Sequence, residues 1–231
     1  MPSTATDPHQ PLRDDVHLLG DLLGATLRAH AGDDLFQVVE QVRRLARAAR
    51  AGNVDAWTRA QALLGALPLG TAIPVARAFT QFLQLANVAE QHHRTRRRRD
   101  YLRNPEAGAQ PGSCAEAFVR LLGTGITAAE LHEAVQRLRI DLVLTAHPTE
   151  VSRRTLLRKY GRIARLLARR DRPDLTRSEQ DACHRGIARE VAAIWASDEV
   201  RHAHVTPLDE VRAGLVVFEE SLWHAVPRYL A

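Results

Sequence analysis

Apolar residues recur at helical spacing along most of the chain, and only one short segment has the pattern of a strand. In the first helical stretch the apolar positions are Val16, Leu19, Leu22, Leu23 and Leu27. Their spacing of three or four residues places them on one helix face. The strand candidate covers 140–145 and begins with Ile140. A lone strand cannot satisfy its backbone N–H and C=O groups, so we expect its sheet neighbours beyond residue 231.

Helix ends are predicted from capping residues and breaks. Thr127 with Glu130 and Thr176 with Glu179 have the form of capping boxes, and Thr206 precedes a proline at the first helical position. Pro68 and Pro74 are expected in the first turn of a long helix. The predicted helices cover about 13–30, 34–50, 54–67, 68–103, 115–122, 127–138, 149–170, 176–199 and 206 to the end. Residues 1–12 are expected to be disordered and 104–113 to form a loop.

The composition is that of a soluble globular protein, with 45% hydrophobic and 26% charged residues. No apolar signal-peptide core and no run of about 18 apolar residues is present, so we expect a cytoplasmic protein without a membrane segment. The two cysteines, Cys114 and Cys183, have neither the density of a disulfide framework nor the spacing of a metal site.

The formal charge of +5 and the pI of about 10.0 invite a nucleic-acid interpretation. The most basic run is Arg94–Arg103, where Tyr101 is the only aromatic residue that could stack on a base. A solvated carboxyl end of a helix, where the dipole favours cations, explains the run equally simply. We therefore predict no nucleic-acid partner and keep binding through this run as an alternative.

The segment LVLTAHPTEVSRR, residues 142–154, joins the predicted strand to the helix that follows. Pro148 biases His147 towards extended geometry, which keeps the imidazole out of the helix. Arg153 and Arg154 fall in the first helical turn, where guanidinium groups and unpaired N–H groups favour an anion. His147 is suited to proton transfer near neutral pH, although a histidine in a loop can also simply bond a neighbouring carbonyl.

This segment resembles the histidine signature of phosphoenolpyruvate carboxylases. Two further stretches resemble the same family in the same order: IPVARAFTQFLQLANVAEQHHR at 73–94 and IWASDEVRHAHVTPLDEVRAGLVVFEESLWHAVPRYL at 194–230. The resemblance spans about residue 12 to the last residue and covers the opening quarter of a family member. It implies that 13–139 is an amino-terminal helical region. Residues 140–231 would begin a TIM-like α/β barrel that missing sequence completes.

The family joins bicarbonate to phosphoenolpyruvate, giving oxaloacetate and phosphate with magnesium, and its members are commonly homotetramers. The resemblance implies that His147 takes a proton during carboxyl transfer and that Trp223 lies at the bicarbonate pocket. A tryptophan on an amphipathic helix is otherwise usually a core residue. The resemblance also places the metal-binding acids, a catalytic lysine and the phosphate loops in later sequence. We assign no metal ligand to this chain, and Lys159 does not take the lysine's role.

Other histidines are weak metal candidates. His92 and His93 are adjacent on a predicted helix, so their side chains point about 100° apart and cannot easily share one ion. His202 and His204 alternate in a loop but have no nearby cysteine or acid set, and we leave them unassigned. Alternatively, the chain is a truncated, inactive helical remnant or interaction module that exposes apolar surface. On either interpretation we expect the isolated 231 residues to lack carboxylase activity.

Overall fold

The computed structural model describes residues 7–104, 106, 108–141, 154–198 and 206–230, and this part of the chain is mainly helical. A π-helical turn, Phe218–Leu222, separates the last two helices. The helices are α1 (Gln10–Ala31), α2 (Asp33–Arg50), α3 (Val54–Gly65), α4 (Leu69–Arg103), α5 (Cys114–Gly123), α6 (Ala128–Gln136), α7 (Arg154–Arg170), α8 (Arg177–Trp195), α9 (Pro207–Val217) and α10 (Trp223–Leu230).

The predicted strand at 140–145 is not seen among the described residues. Ile140 and Asp141 follow α6 without regular secondary structure, and Ile140 is 75% exposed. The other positions of that range lie outside the described residues. Isolated extended residues have no neighbour to complete a ladder, so Ile140 and Asp141 do not form a strand here.

Local hydrogen bonds at the helix starts confirm the predicted caps. The backbone N–H of Glu179 donates to Thr176 Oγ1 at 3.3 Å, and the backbone N–H of Thr176 donates to Glu179 Oε2 at 3.0 Å. The same reciprocal pair forms at Thr127 and at Thr206, the latter with Asp209 at the third position. Gly32, with φ of +88°, ends α1 as the sequence indicated, because glycine adopts this left-handed region without a steric penalty.

Several predicted boundaries were wrong by a few residues. Pro74 lies inside α4 rather than in its first turn, because Pro68 accepts the first hydrogen bonds and the helix already begins at Leu69. The helix predicted to reach residue 199 ends at Trp195. The last helix is interrupted by the π-helical turn, and Pro227, which has no backbone N–H, lies within α10.

The chain forms two compact units. Unit 1 consists of Met1–His92 and Ser152–His204, and unit 2 consists of His93–Val151 and Val205–Ala231. Helix α4 therefore contributes to both. The domain boundary predicted near residue 139 concerns the longer family chain and stays a prediction.

Unit 1 has a hydrophobic core built from one face each of α1, α2, α4, α7 and α8. In α1 the face predicted from spacing is buried, including Leu19, Leu23 and Leu27. The apolar spacing in the sequence predicts an inner face of α4 made of Val75, Phe79, Phe82, Leu83, Ala86 and Ala89. Leu83 is instead 61% exposed, whereas Gln81 and His92 are buried. The buried positions of α4 in unit 1 are Val75, Ala78, Gln81, Leu85, Ala89 and His92. They keep the three- and four-residue spacing of one helix face and include two polar side chains.

Unit 2 differs from unit 1 in how little apolar surface its described residues bury. Among the described residues, Val216 is its only buried apolar side chain, and neither α5 nor α6 buries any residue. The large exposed apolar side chains of the described chain lie mostly in this unit. Unit 2 therefore has helices with apolar faces and almost no core of its own.

Candidate active site

The four residues predicted to form the site are distributed along the second half of the chain. His147 and Arg153 lie outside the described residues. Arg154 is the first residue of α7 and is exposed, and Trp223 is the first residue of α10 and is 77% exposed. Arg154 belongs to unit 1 and Trp223 to unit 2.

Helix α7 carries the sequence that directly follows the histidine segment, and its packing is determined by apolar contacts with α8. Leu156, Ile163 and Leu167 are buried on one face of α7. Gly186 of α8 lies so close to α7 that an added Cβ would be 3.0 Å from Leu166 Cδ1. On the polar side, Arg162 of α7 donates to Glu190 of α8 at 3.0 Å.

The carboxyl end of α7 is attached to two other helices by buried polar groups. Arg170 Nη1 donates to Asp15 Oδ1 of α1 at 3.2 Å, and the Asp15 side chain is only 5% exposed. Asp171, just after α7, lies with Oδ2 2.8 Å from Nε2 of His92 in α4. Since α7 is held at this end and along its length, the position of Arg154 at its other end is fixed within unit 1.

The carboxyl end of α8 is held by α4 in a similar way. Arg77 Nη2 donates to the backbone carbonyls of Trp195 and Ser197, the latter at 2.5 Å, and its guanidinium lies 4.7 Å from the Trp195 ring centroid. Gln81 Nε2 donates to the Ile194 carbonyl at 3.5 Å. Trp195 is the last residue of α8, so its carbonyl is one that a helix end leaves without an intrahelical partner, and Arg77 satisfies it.

These anchoring residues were not predicted from the sequence, although polar residues within apolar helix faces indicate them. Asp15 and Gln81 each occupy a position in register with an apolar helix face, where a polar side chain needs a buried partner. His92 occupies such a position too. The partners, however, lie more than 75 residues away in sequence, so spacing along one helix does not reveal them.

The first turn of α7 contains Arg154 and no acidic residue. Backbone N–H groups at a helix start together with a guanidinium provide donors and positive charge for an oxyanion. At Trp223 the indole is exposed among the described residues. Its flat ring is available to cover a ligand or another protein segment.

The adjacent histidines face different partners. His92 bonds Asp171 of unit 1, while His93 Nδ1 lies 3.4 Å from Arg96 Nη1 within unit 2. Across the described ranges, no group of three His, Cys, Asp or Glu side chains could hold a metal ion. The side chains in these ranges therefore do not provide a set of magnesium ligands. His202 and His204 lie outside them.

The basic run Arg94–Arg103 forms the last turns of α4. Arg97 lies 3.8 Å from Asp100 and stacks 5.1 Å from the Tyr101 ring centroid. Arg98 and Arg99 are exposed. Nucleic-acid binding by this run stays an untested alternative to the prediction of no nucleic-acid partner. Of the helices in the described ranges, none is both long enough and apolar enough to span a bilayer.

Two capping carboxylates at helix starts have shifted pKa values. Hydrogen bonds from the Thr176 backbone and hydroxyl lower the pKa of Glu179 below its ordinary value. The hydroxyl and backbone of Thr127 do the same for the pKa of Glu130. Both groups stabilise helix starts in the charged form.

Comparison with known sequences defines the family of this mainly helical chain. Residues 12–231 match the family model described as phosphoenolpyruvate carboxylase. The chain belongs to the phosphoenolpyruvate carboxylase family, as an amino-terminal portion.

Curated relatives agree with this assignment. The chain is 45% identical over 221 residues to a phosphoenolpyruvate carboxylase of Alcanivorax borkumensis, covering 95% of this chain and 25% of the relative. It is 41% identical over 220 residues to one of Acinetobacter baumannii (95% and 24%) and 44% identical over 226 residues to one of Pseudomonas fluorescens (97% and 25%). The chain thus spans about a quarter of the length of the curated relatives that it matches.

Proposed function

We propose that the chain is the amino-terminal part of a phosphoenolpyruvate carboxylase, a lyase that carboxylates phosphoenolpyruvate with bicarbonate to give oxaloacetate and phosphate. The observation that carries this proposal is the family match over residues 12–231, which includes the histidine signature. Residues 13–139 would form the helical region and 140–231 the start of a TIM-like barrel. The whole enzyme would be a cytoplasmic homotetramer.

His147 is proposed to act in the carboxyl-transfer half of the reaction. Bicarbonate attacks phosphorus, the bond to the enol oxygen breaks, and carboxyphosphate and an enolate form. An imidazole nitrogen of His147 then takes the acidic proton of carboxyphosphate, which releases carbon dioxide and phosphate. The enolate carbon forms the new bond to carbon dioxide.

The other site residues are proposed to bind and orient. Arg153 and Arg154 would hold anionic oxygens at the start of α7, and Trp223 would cover the bicarbonate side of the site. Magnesium, when bound by ligands from elsewhere in the enzyme, would supply charge stabilisation. Since the described residues contain no fitting ligand set, no step is assigned to the metal here.

Two assays test this proposal. The purified 231-residue chain, supplied with magnesium, phosphoenolpyruvate and bicarbonate, is expected to form no oxaloacetate. A full-length chimaera, in which residues 12–231 replace the matching quarter of the Alcanivorax borkumensis relative, is expected to be active. Activity of the isolated chain would contradict the proposed division of the site between this part and the rest.

The role of His147 is tested in the chimaera by His147→Asn. We expect oxaloacetate formation to fall by about 10²–10⁴-fold, because one positioned proton acceptor is lost. Phosphate release should fall less than oxaloacetate formation, since attack on phosphorus precedes the step that needs His147. Equal losses of both products would place His147 in the first half of the reaction instead.

The alternative is a catalytically inactive helical remnant or interaction module. The nearly coreless unit 2 favours this alternative for the isolated chain, because exposed apolar faces promote association. An active chimaera would show that the residues needed for catalysis are intact. A chimaera that folds and binds substrate but does not turn over would support the remnant.

A further inference from the structure

The outward side of the α7–α8 pair, away from the core of unit 1, carries six exposed arginines. Four of them follow α7 at spacings of four, three and four residues, which places them within about 60° of one another around the helix. The other two lie four residues apart on α8, opposite its buried side chains. They are Arg158, Arg162, Arg165, Arg169, Arg185 and Arg189, and we call this set the α7–α8 basic face.

The two rows of arginines border one surface, because α7 and α8 pack side by side in opposite directions. Arg162 Nη1 donates to Glu190 Oε1 at 3.0 Å, and Arg169 Nη2 donates to Glu179 Oε1 at 3.5 Å. The later residue of α7 thus meets the earlier residue of α8. Both glutamates lie between the two rows, since each bonds from α8 to α7.

The positive charge of this face is only partly compensated. Helix α7 contains seven basic residues and no acidic one. Arginines four apart on a helix repel each other, as at Arg158 with Arg162 and at Arg165 with Arg169. The two glutamates offset two of the six charges, and among the described residues Arg165 and Arg189 form no ion pair. An incoming anionic group would relieve this repulsion.

Three features of the face favour a protein helix over other anions. Its charges extend along about 16 Å of α7, so they do not converge on one small anion. Its described residues include no aromatic ring on which a base could stack, and Glu179 and Glu190 would repel a continuous phosphate backbone. Between the rows lie Ala182, Gly186 and Ala193, whose small size permits another backbone to approach closely.

The spacing of the arginines specifies the chemistry of the partner. Carboxylates on one face of a second helix repeat every three or four residues, which is the repeat of the arginines on α7. Each guanidinium fork can hold a carboxylate through two N–H groups. We propose that the α7–α8 basic face is the docking surface for an acidic helix of another protein, with Arg165 and Arg189 at the centre of the contact.

The α7–α8 basic face belongs to a unit whose core is already formed. Leu156, Ile163 and Leu167 are buried on the other side of α7. The face therefore adds a polar contact to a finished core. This inference does not depend on the reaction that the whole enzyme catalyses.

The test measures binding of a helical peptide to the purified 231-residue chain by fluorescence anisotropy. The patterned peptide carries glutamates every three or four residues on one face, with alanine and glutamine elsewhere. Its isomer has the same composition, with the glutamates scattered around the helix. We expect the patterned peptide to bind, with a Kd that rises about tenfold or more between about 50 and 200 mM salt. The scattered isomer should bind about tenfold more weakly.

Two double variants that remove the same charge locate the contact. Arg165→Gln with Arg189→Gln should raise the Kd of the patterned peptide by about tenfold or more, because two charge-assisted pairs are lost. The matched control is Arg44→Gln with Arg47→Gln, since both arginines are exposed on α2, and it should change the Kd by less than about twofold. Both variants should keep the thermal midpoint within about 2 °C of the parent, since exposed side chains contribute little to stability.

Each other result overturns the proposal. Equal binding of the two peptides, or equal weakening by the two double variants, would show attraction to net charge alone. A thymidine oligonucleotide that binds more tightly than the patterned peptide would make the face a nucleic-acid surface. If Arg165→Gln with Arg189→Gln lowers the thermal midpoint by about 4 °C or more, the arginines stabilise unit 1 itself. A parent chain that binds neither peptide has no such docking surface.

The folded full-length chimaera should bind the patterned peptide as the isolated chain does. Loss of binding in the chimaera would show that the rest of the polypeptide covers the face, which also overturns the proposal. Carboxylase activity is not a readout, so an inactive chimaera would contradict the proposed function and leave this inference intact.

Discussion

Arg170, in the last turn of α7, donates a hydrogen bond of 3.2 Å to Asp15 of α1, whose carboxylate is almost completely buried. The two side chains differ in exposure, 37% for Arg170 and 5% for Asp15. This difference makes the two ends of the ion pair unequal. Replacing Arg170 leaves the Asp15 carboxylate charged and buried. Neutralising Asp15 leaves an arginine that water can reach.

We therefore expect Arg170→Met to cost about 2–3 kcal/mol of the free energy of unfolding and Asp15→Asn about 1 kcal/mol, because a buried carboxylate that loses its arginine carries the larger penalty. Urea unfolding at pH 7 measures both. The exposed pair of Arg13 with Asp7 is the control, and Arg13→Met should cost no more than about 0.5 kcal/mol. An Asp15→Asn cost equal to or above that of Arg170→Met would contradict this account.

Two helix glycines provide a matched test of the α7–α8 contact. Gly161→Ala should stabilise the chain by about 0.5–1 kcal/mol, because the new Cβ would meet only Arg165 Nη1 at 3.8 Å and alanine favours the helix. Gly186→Ala should destabilise it by about 1–2 kcal/mol, since its Cβ would meet Leu166 Cδ1 at 3.0 Å in the packed core. Thermal or urea unfolding should show a higher stability than the parent for Gly161→Ala and a lower stability for Gly186→Ala. Stabilisation by both would mean that Leu166 moves aside without loss.

The capping box at α8 predicts a dependence of stability on pH. Hydrogen bonds from Thr176 hold the pKa of Glu179 below its ordinary value of 4.5. A group with a lowered folded-state pKa stabilises the folded state above its unfolded pKa and loses that contribution as pH falls through the folded pKa. The thermal midpoint of the parent should therefore fall more between pH 5 and pH 3 than that of Glu179→Gln. A side-chain NMR titration that places the Glu179 pKa at or above 4.5 would contradict the prediction.

Arg77 is expected to resist replacement by lysine. Its guanidinium donates to the carbonyls of Trp195 and Ser197 while stacking on the Trp195 ring, a combination that needs a planar fork. Arg77→Met should cost about 2–3 kcal/mol and Arg77→Lys about 1–2 kcal/mol. Amide exchange at the end of α8 should increase more in both variants than at the start of α8. An equal increase in amide exchange at both ends of α8 would show that Arg77 does not act specifically at the carboxyl end.

The elements that the sequence predicted well are those with local causes. Thr127 and Thr176 were identified as caps because a capping box closes within four residues, and Thr206 because a proline follows it at the first helical position. The face of α1 followed from spacing alone. In contrast, the inclusion of Gln81 and His92 in the buried face of α4 depends on groups that are distant in sequence, and no window along the chain contains them.

For the site, sequence patterns identified Arg154 at a helix start and Trp223 on an amphipathic stretch. The pattern around Trp223 did not predict its exposure, because the extra residue of the π turn changes which face it occupies. His147 and Arg153 stay predictions, since they lie outside the described residues. Asp15 could have been singled out, because a charged residue in register with Leu19 and Leu23 requires a partner.

The arrangement of unit 1 has a consequence for synthesis on the ribosome. Its first segment ends at His92, and its second segment begins only at Ser152, after about 60 residues of unit 2. At about 5–20 residues per second, some 3–12 s pass after His92 is added before synthesis of α7 begins. During that interval the buried faces of α1 and α4 lack the helices that cover them, so the nascent chain is a substrate for chaperones that bind apolar segments.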